Sequence, residues 1–163
     1  MIVAFLQRFA RRTMISRAPD FIVGGRDNPY LSRWFVIPRN RFFNIYLHEF
    51  RRSDDDRALH DHPWWWCSIL LQGNYLEISP PPEFYPLRQL WQRFYEGSVR
   101  IHRPGFAHRL VIEPGTRCVT LFITGPRVRE WGFHCPKGWV PWQKFTASND
   151  SGAIGAGCDQ PSD

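Results

Sequence analysis

From Trp34 onward the chain is cut into short apolar runs by glycine, proline, asparagine and aspartate, and the cuts recur about every 8–12 residues. The runs read "WFVI", "FFNIYLHEF", "WWWCSILLQG", "NYLEIS", "QLWQRFY", "SVRIHR", "HRLVIE" and "CVTLFITG". Strands of this length between turn residues predict an antiparallel sandwich or barrel. The proline cluster "SPPPEFYP" cannot be a central strand, because proline has no N–H for a ladder. At 163 residues one such domain buries a real core without help from staples. The expected fold class is therefore all-β, in a single domain.

The ends differ from this middle. In "MIVAFLQRFARRTMISR", Ile2, Phe5, Leu6 and Phe9 share one helical face opposite the arginines. A short helix packed on the body of the domain is preferred over a membrane-surface or partner helix. The tail "TASNDSGAIGAGCDQPSD" is small, polar and glycine-rich, and reads as disordered. The division is an N-terminal helical or irregular segment over 1–32, a barrel over 33–146, and a loose tail over 147–163.

Aromatic residues make up 16% of the chain, with eight Trp and thirteen Phe, so rings must fill a thick core, line a pocket, or both. The formal charge of +6 raises nucleic acid as a partner. The basic residues are dispersed, however, "RRSDDDR" interrupts them as a solvated loop, and no nucleic-acid motif is present, so no nucleic-acid partner is expected. Cys67, Cys118, Cys135 and Cys158 show no C-x-x-C pairing, and no secretory leader or membrane-length apolar run accompanies them. That pattern predicts free thiols, a cytoplasmic setting and no membrane partner.

The chemistry concentrates in "ALHDHPWWWCSILLQGNY". Residues i and i+2 of a strand face the same way, so His60 and His62 can converge on one ion. Neutral imidazole is the most common transition-metal ligand. A third donor is available in "GSVRIHRPGFAHRLVIEPG", where Pro104-Gly105 makes a turn and His108 opens the next strand. Trp64, Trp65, Trp131, Trp139 and Trp142 read first as core or lid residues, although Trp64 to Trp66 follow a ligand directly and some must flank the ion. His48 shares a face with Tyr46 and Phe50 and is placed to line a barrel. His134 and Cys135 read as surface or packing residues.

His60, His62, Gly73, Gly97, Pro104, Gly105 and His108 stand in the order and at nearly the spacing of the two linked motifs of the cupin superfamily, and the chain resembles it over roughly residues 33–146. The resemblance implies a jelly-roll barrel with one divalent transition metal, iron(II) or zinc, inside its mouth. It also implies a small-molecule ligand and a homodimer by strand sharing. Two positions depart from the pattern. Ile112 stands where the second motif commonly ends in asparagine, and the usual glutamate ligand is missing. Counting forward from His62 places Cys67 in that slot; counting back from Gly73 places Trp66 there. Strand alternation makes the two exclusive, and the glycine register favours Trp66. A thiolate ligand would favour zinc; three histidines alone leave open positions that suit iron(II).

Within the cupins, "HDHPWWWCSILLQGN" resembles the metal motif of thiol dioxygenases of the cysteine dioxygenase type. That resemblance implies iron on His60, His62 and His108, and a substrate carboxylate on Arg33, with Arg100 and Arg109 as fallbacks. It departs at "CVTLFITGP", where Phe122 and Thr124 occupy the places of that family's histidine and tyrosine, so the pocket is expected to be more apolar. The expected pocket is Arg33, Trp64, Trp66, His102, Phe122 and Thr124, although the parity of His102, opposite to Val99 and Ile101, fits a pocket-lining and an outer-face role equally. Catalytic residues are not assignable from the sequence. Two functions remain: a non-haem-metal dioxygenase acting on a small anionic or aromatic molecule, and a non-catalytic cupin in which zinc supports a ligand site. A metal-independent sugar-nucleotide epimerase is disfavoured by the complete histidine set.

Overall fold

The computed structural model describes residues 1–24, 29–53, 58–80, 89–148 and 150–159. Most of the proline cluster and the acidic run, at 81–88 and 54–57, lie outside the described residues. The chain runs α1 (Ile2–Ser16), β1 (Phe21–Val23), β2 (Leu31–Phe35), β3 (Asn44–Phe50), β4 (Leu59–His60) and β5 (Trp66–Gln72). It continues with β6 (Asn74–Ser79), β7 (Leu90–Tyr95), β8 (Val99–His102), β9 (Arg109–Val111) and β10 (Cys118–Thr124). The closing elements are β11 (Gly132–Cys135), β12 (Gly138–Pro141), α2 (Trp142–Phe145), β13 (Thr146–Ala147) and β14 (Asp150–Ile154).

One sheet has the order β1-β2-β3-β10-β5-β8, with every pair antiparallel. Opposite it lie β7-β6-β9 and β12-β11-β4, joined by a bridge between His60 and His108. Strands distant in sequence thus become neighbours across two layers, the arrangement of a jelly roll. The alternation within β3 explains why this run is apolar throughout. Phe50 points into the interlayer core with Leu31, Leu70, Tyr75 and Leu110. Leu47 faces the other way, against Trp34, Leu71 and Val119, where α1 covers the sheet with Leu6, Ala10 and Met14. Gly73 closes the β5–β6 turn at φ +81°, and an added Cβ there would meet the carbonyl oxygen of Arg117.

Three expectations need correction. The six-stranded sheet begins before residue 33, because the short β1 and the start of β2 pair along its edge. The tail is also not loose throughout: Asp150–Ile154 pairs with Thr146–Ala147, and the amides of Gly155 and Gly157 donate to Phe145 O at 3.0 and 3.1 Å. These are backbone contacts, to which side-chain composition is blind. Finally, the four thiols are not all free, for Cys135 and Cys158 form a disulfide and only Cys67 and Cys118 remain as thiols. The expectation of a cytoplasmic setting rested on free thiols and loses that support. No helix among the described residues is long and apolar enough to cross a membrane.

The disulfide closes a loop of sequence separation 23 and ties the tail to β11. In the chain-entropy view such a loop contributes roughly 3 kcal/mol. At about 2–4 °C per kcal/mol for a chain of this size, Cys158→Ser is expected to lower Tm by about 6–12 °C. Calorimetry under non-reducing conditions checks this; an unchanged Tm would mean the bond contributes nothing.

Candidate metal centre

His60 and His108 sit directly opposite each other, each backbone N–H donating to the other's carbonyl at 2.9 Å. Directly opposed residues on antiparallel chains present their side chains to the same face at close range. His62, two residues on from His60, returns to that face, with its carbonyl accepting from the Gly105 amide at 3.0 Å. The three ring centroids lie 4.9, 5.1 and 5.2 Å apart, and one nitrogen from each ring falls within 4.8 Å of the others. His62 Nε2 and His108 Nε2 are 3.0 Å apart. The donor set fits a transition metal: three imidazoles converge, each offering one nitrogen.

A carboxylate fixes one ring. His108 Nδ1 lies 3.2 Å from Glu77 Oε2, so its proton belongs on Nδ1 and the Nε2 lone pair faces the cluster. Glu77 Oε1 in turn accepts from Arg100 at 2.6 Å, so the buried side chain is held from both oxygens. Sequence reading missed Glu77: its parity with Tyr75 on an apolar strand marks an inward charge that calls for a partner, but nothing local names His108 as that partner.

Asp61, between the two ligand histidines, faces the opposite way and is fully buried. Its Oδ1 accepts from the Gly132 amide at 2.9 Å. Oδ2 accepts from Arg129 at 2.9 Å and Trp139 Nε1 at 3.1 Å, with His134 Nε2 at 3.2 Å. The H-D-H triplet therefore alternates strictly, ring inward, anchor outward, ring inward. His134, expected at the surface or in packing, is half exposed and joins this anchor.

The histidines open into a cavity of about 400 Å³. Trp64, Trp66, Phe122 and Arg33 line it, as do Tyr46 and His48 from β3. Trp66 stacks on His108 at 5.0 Å and on Phe122 at 5.5 Å. Arg33 donates from Nε to His48 Nε2 at 2.9 Å and lies 4.9 Å over the Tyr46 ring. Trp131, Phe133, Trp142 and Phe145 close one side, with Phe133 and Phe145 stacked at 3.6 Å and the two indoles at 5.7 Å. Inside, the indole N–H groups of Trp64, Trp66 and Trp142 and the Thr120 hydroxyl have no protein partner. The residues lining the cavity thus include aromatic rings and hydrogen-bond donors that no protein acceptor takes up.

Solved structures share this architecture. An uncharacterized conserved protein with a double-stranded β-helix domain from Klebsiella pneumoniae aligns with a TM-score of 0.50 at 12% identity, over 69% of this chain and 90% of its own. The polyketide cyclase RemF from Streptomyces resistomycificus aligns with a TM-score of 0.50 at 17% identity, over 67% and 72%. The fold is a cupin jelly roll. The DMSP lyase DddQ from Ruegeria pomeroyi aligns with a TM-score of 0.48 at 14% identity over 62% of this chain, which spans only 50% of that protein's length. No family model matches the sequence, and no curated protein does.

In the cupin barrel the contested slot on β5 falls to Trp66, which is 1% exposed beside the histidines. Cys67 is on the other face, outside both the cluster and the cavity lining, and burial pushes its thiol upward, against the thiolate a ligand would need. Two expected pocket residues do not line the cavity. His102 is on the edge strand β8, stacked on Phe106 at 3.6 Å and behind Trp66 at 4.7 Å. Thr124 is buried directly opposite Trp66 at the end of β10 and is not among the lining residues. The expectation of a purely more apolar pocket also changes, because Tyr46 and His48, the cross-strand partners of Phe122 and Thr120, bring a phenol and an imidazole into it. The fallback Arg100 is committed to Glu77, and Arg109 is not among the lining residues.

Burial, reinforced by neighbouring cationic and imidazole groups, holds His48, His62 and His108 well below the usual imidazole range. They are neutral at pH 7, as ligation requires. The folded pKa values lie below the unfolded value of about 6.5, so the unfolded chain takes up protons first as pH falls. Metal-free protein should therefore keep full stability above that value and lose about 1.4 kcal/mol per pH unit for each such ring below it. Urea titrations across that window check the sign; a stability that rises on acidification would contradict it.

Proposed function

We propose that the chain is a non-haem metal oxygenase acting on a small aromatic molecule with an anionic group. The observation that carries this reading is the histidine cluster opening into a ring-walled, donor-rich cavity that also holds Arg33. His60, His62 and His108 would hold the metal, and iron(II) there would supply redox chemistry towards oxygen with positions left for other ligands. The remaining work falls to the chain's own side chains. Arg33 receives the anionic end in a planar fork, its Nε already fixed by the neutral His48. Trp64, Trp66 and Phe122 hold a flat ring by stacking. The aromatic wall around Phe145 excludes water, and Glu77 keeps the His108 proton on Nδ1.

Elemental analysis of protein purified without an affinity tag identifies the metal. Oxygen uptake after loading with iron(II) then tests turnover with cysteine, 3-mercaptopropionate and a panel of aromatic carboxylates. Uptake with an aromatic acid is the expected result. Free cysteine should be poor, since Phe122 and Thr124 stand where the thiol dioxygenases carry their histidine and tyrosine. Brisk turnover of cysteine would move the assignment to that family. Stoichiometric zinc with no uptake would replace the oxygenase by the zinc-supported binding protein.

A further inference from the structure

We propose that α1 docks the protein onto an anionic lipid surface, in place of the expectation that no membrane partner exists. The helix is held to the barrel by one side only. Leu6, Ala10 and Met14 pack against Trp34, Leu71 and Val119, and Gln7 Nε2 donates to Leu71 O at 2.7 Å. The other side carries a second apolar stripe: Ile2 is 75% exposed, Phe5 64% and Phe9 36%. Phe5 and Phe9 are one turn apart and present a continuous surface. Beside them stand Arg8 and Arg12, which have no ion-pair partner among the described residues. The helix contains no acidic residue at all.

Aromatic and aliphatic side chains bordered by unpaired arginines match the boundary between acyl chains and anionic headgroups. The rings enter the apolar layer, while the arginine stems lie along it and their guanidinium groups stay at phosphate depth. The surplus of +6 over the whole chain favours the approach. Two other occupants fit less well. A nucleic acid would meet the arginines but strand Ile2, Phe5 and Phe9 against a polar backbone. A second copy of this helix would bring like-charged arginines together around the stripe, with no carboxylate on either helix to offset them.

The test is flotation of the full chain with vesicles of phosphatidylcholine alone and of phosphatidylcholine mixed with phosphatidylserine, at low and high salt. Binding to the mixed vesicles only, weakened by salt, is the expected result. Each arginine near an anionic surface strengthens partition roughly fivefold, so replacing both by glutamine (R8Q, R12Q) should weaken it about 25-fold. Phe5→Ser with Phe9→Ser should abolish flotation at either salt. Neither set touches Leu6, Ala10 or Met14, and an unchanged circular dichroism spectrum and Tm would show the fold intact. Flotation equal in wild type and both variants would overturn the proposal. So would arginine-dependent binding to duplex DNA or single-stranded RNA without vesicle binding, or a dimer dissolved by the Phe variants without vesicle binding.

Discussion

His108→Ala is expected to reduce bound metal from about one ion per chain to a trace while leaving the β structure in place. Three protein ligands are the usual minimum for an open site, and the two that remain would both come from the single short segment 60–62. The fold should survive because the partners left behind are not stranded. Glu77 keeps its ion pair to Arg100, and the bridge between residues 60 and 108 is made by backbone groups that alanine retains. Metal analysis with circular dichroism on the same sample decides it, and full occupancy in the variant would remove His108 from the ligand set. Glu77→Gln gives the graded case. It keeps the ring but loses the charged acceptor on Nδ1, and a partner of this kind commonly contributes 10–100-fold in metal affinity, about 1.4–2.7 kcal/mol. Cys67→Ser should change nothing, and cobalt-substituted protein should lack a thiolate charge-transfer band.

These expectations also separate what a sequence can carry from what it cannot. His60 and His62 were legible because their convergence needs only the period of a strand, and His108 because a Pro-Gly turn delivers it. Trp66 was legible because Gly73, forced by its positive φ and the crowding of Arg117, fixes the register of β5. Glu77 was not, since its role is a contact with a residue 31 positions away whose register no local signal sets. The same holds for Tyr46 and His48. Parity placed them inside a barrel, but only the pairing of β3 with β10 puts them beside Phe122 and Thr120. His102 and Thr124 show the opposite failure. Their parity is inward, yet position in the sheet decides what inward means: one is on an edge strand, and the other is at the last position of β10, opposite Trp66. Cys158 was read by the composition around it, and composition says nothing about a thiol 23 residues away.

Asp61→Ala should be the most destabilising single substitution near the site, at about 3–5 kcal/mol. The carboxylate is buried and accepts from an amide, an indole and a guanidinium, each from the far side of the H-D-H strand. Arg129 is partly exposed and can return to water, but the Gly132 amide and the Trp139 indole would lose their acceptor. Nor can the chain close up around the loss at Gly132, where an added Cβ would already meet Val140 O and Trp139 is packed close. At about 2–4 °C per kcal/mol, Tm should fall by about 6–20 °C. Asp61→Asn should lie between, since its amide oxygen can still accept from Gly132 while the charge facing Arg129 is gone. Metal affinity should fall in the same order, because Asp61 holds β11 against the segment that carries both His60 and His62. That last readout distinguishes an anchor from a bystander. If Asp61→Ala lowers Tm but leaves zinc affinity at the wild-type value, the outward residue of the triplet stabilises the barrel without positioning the inward pair.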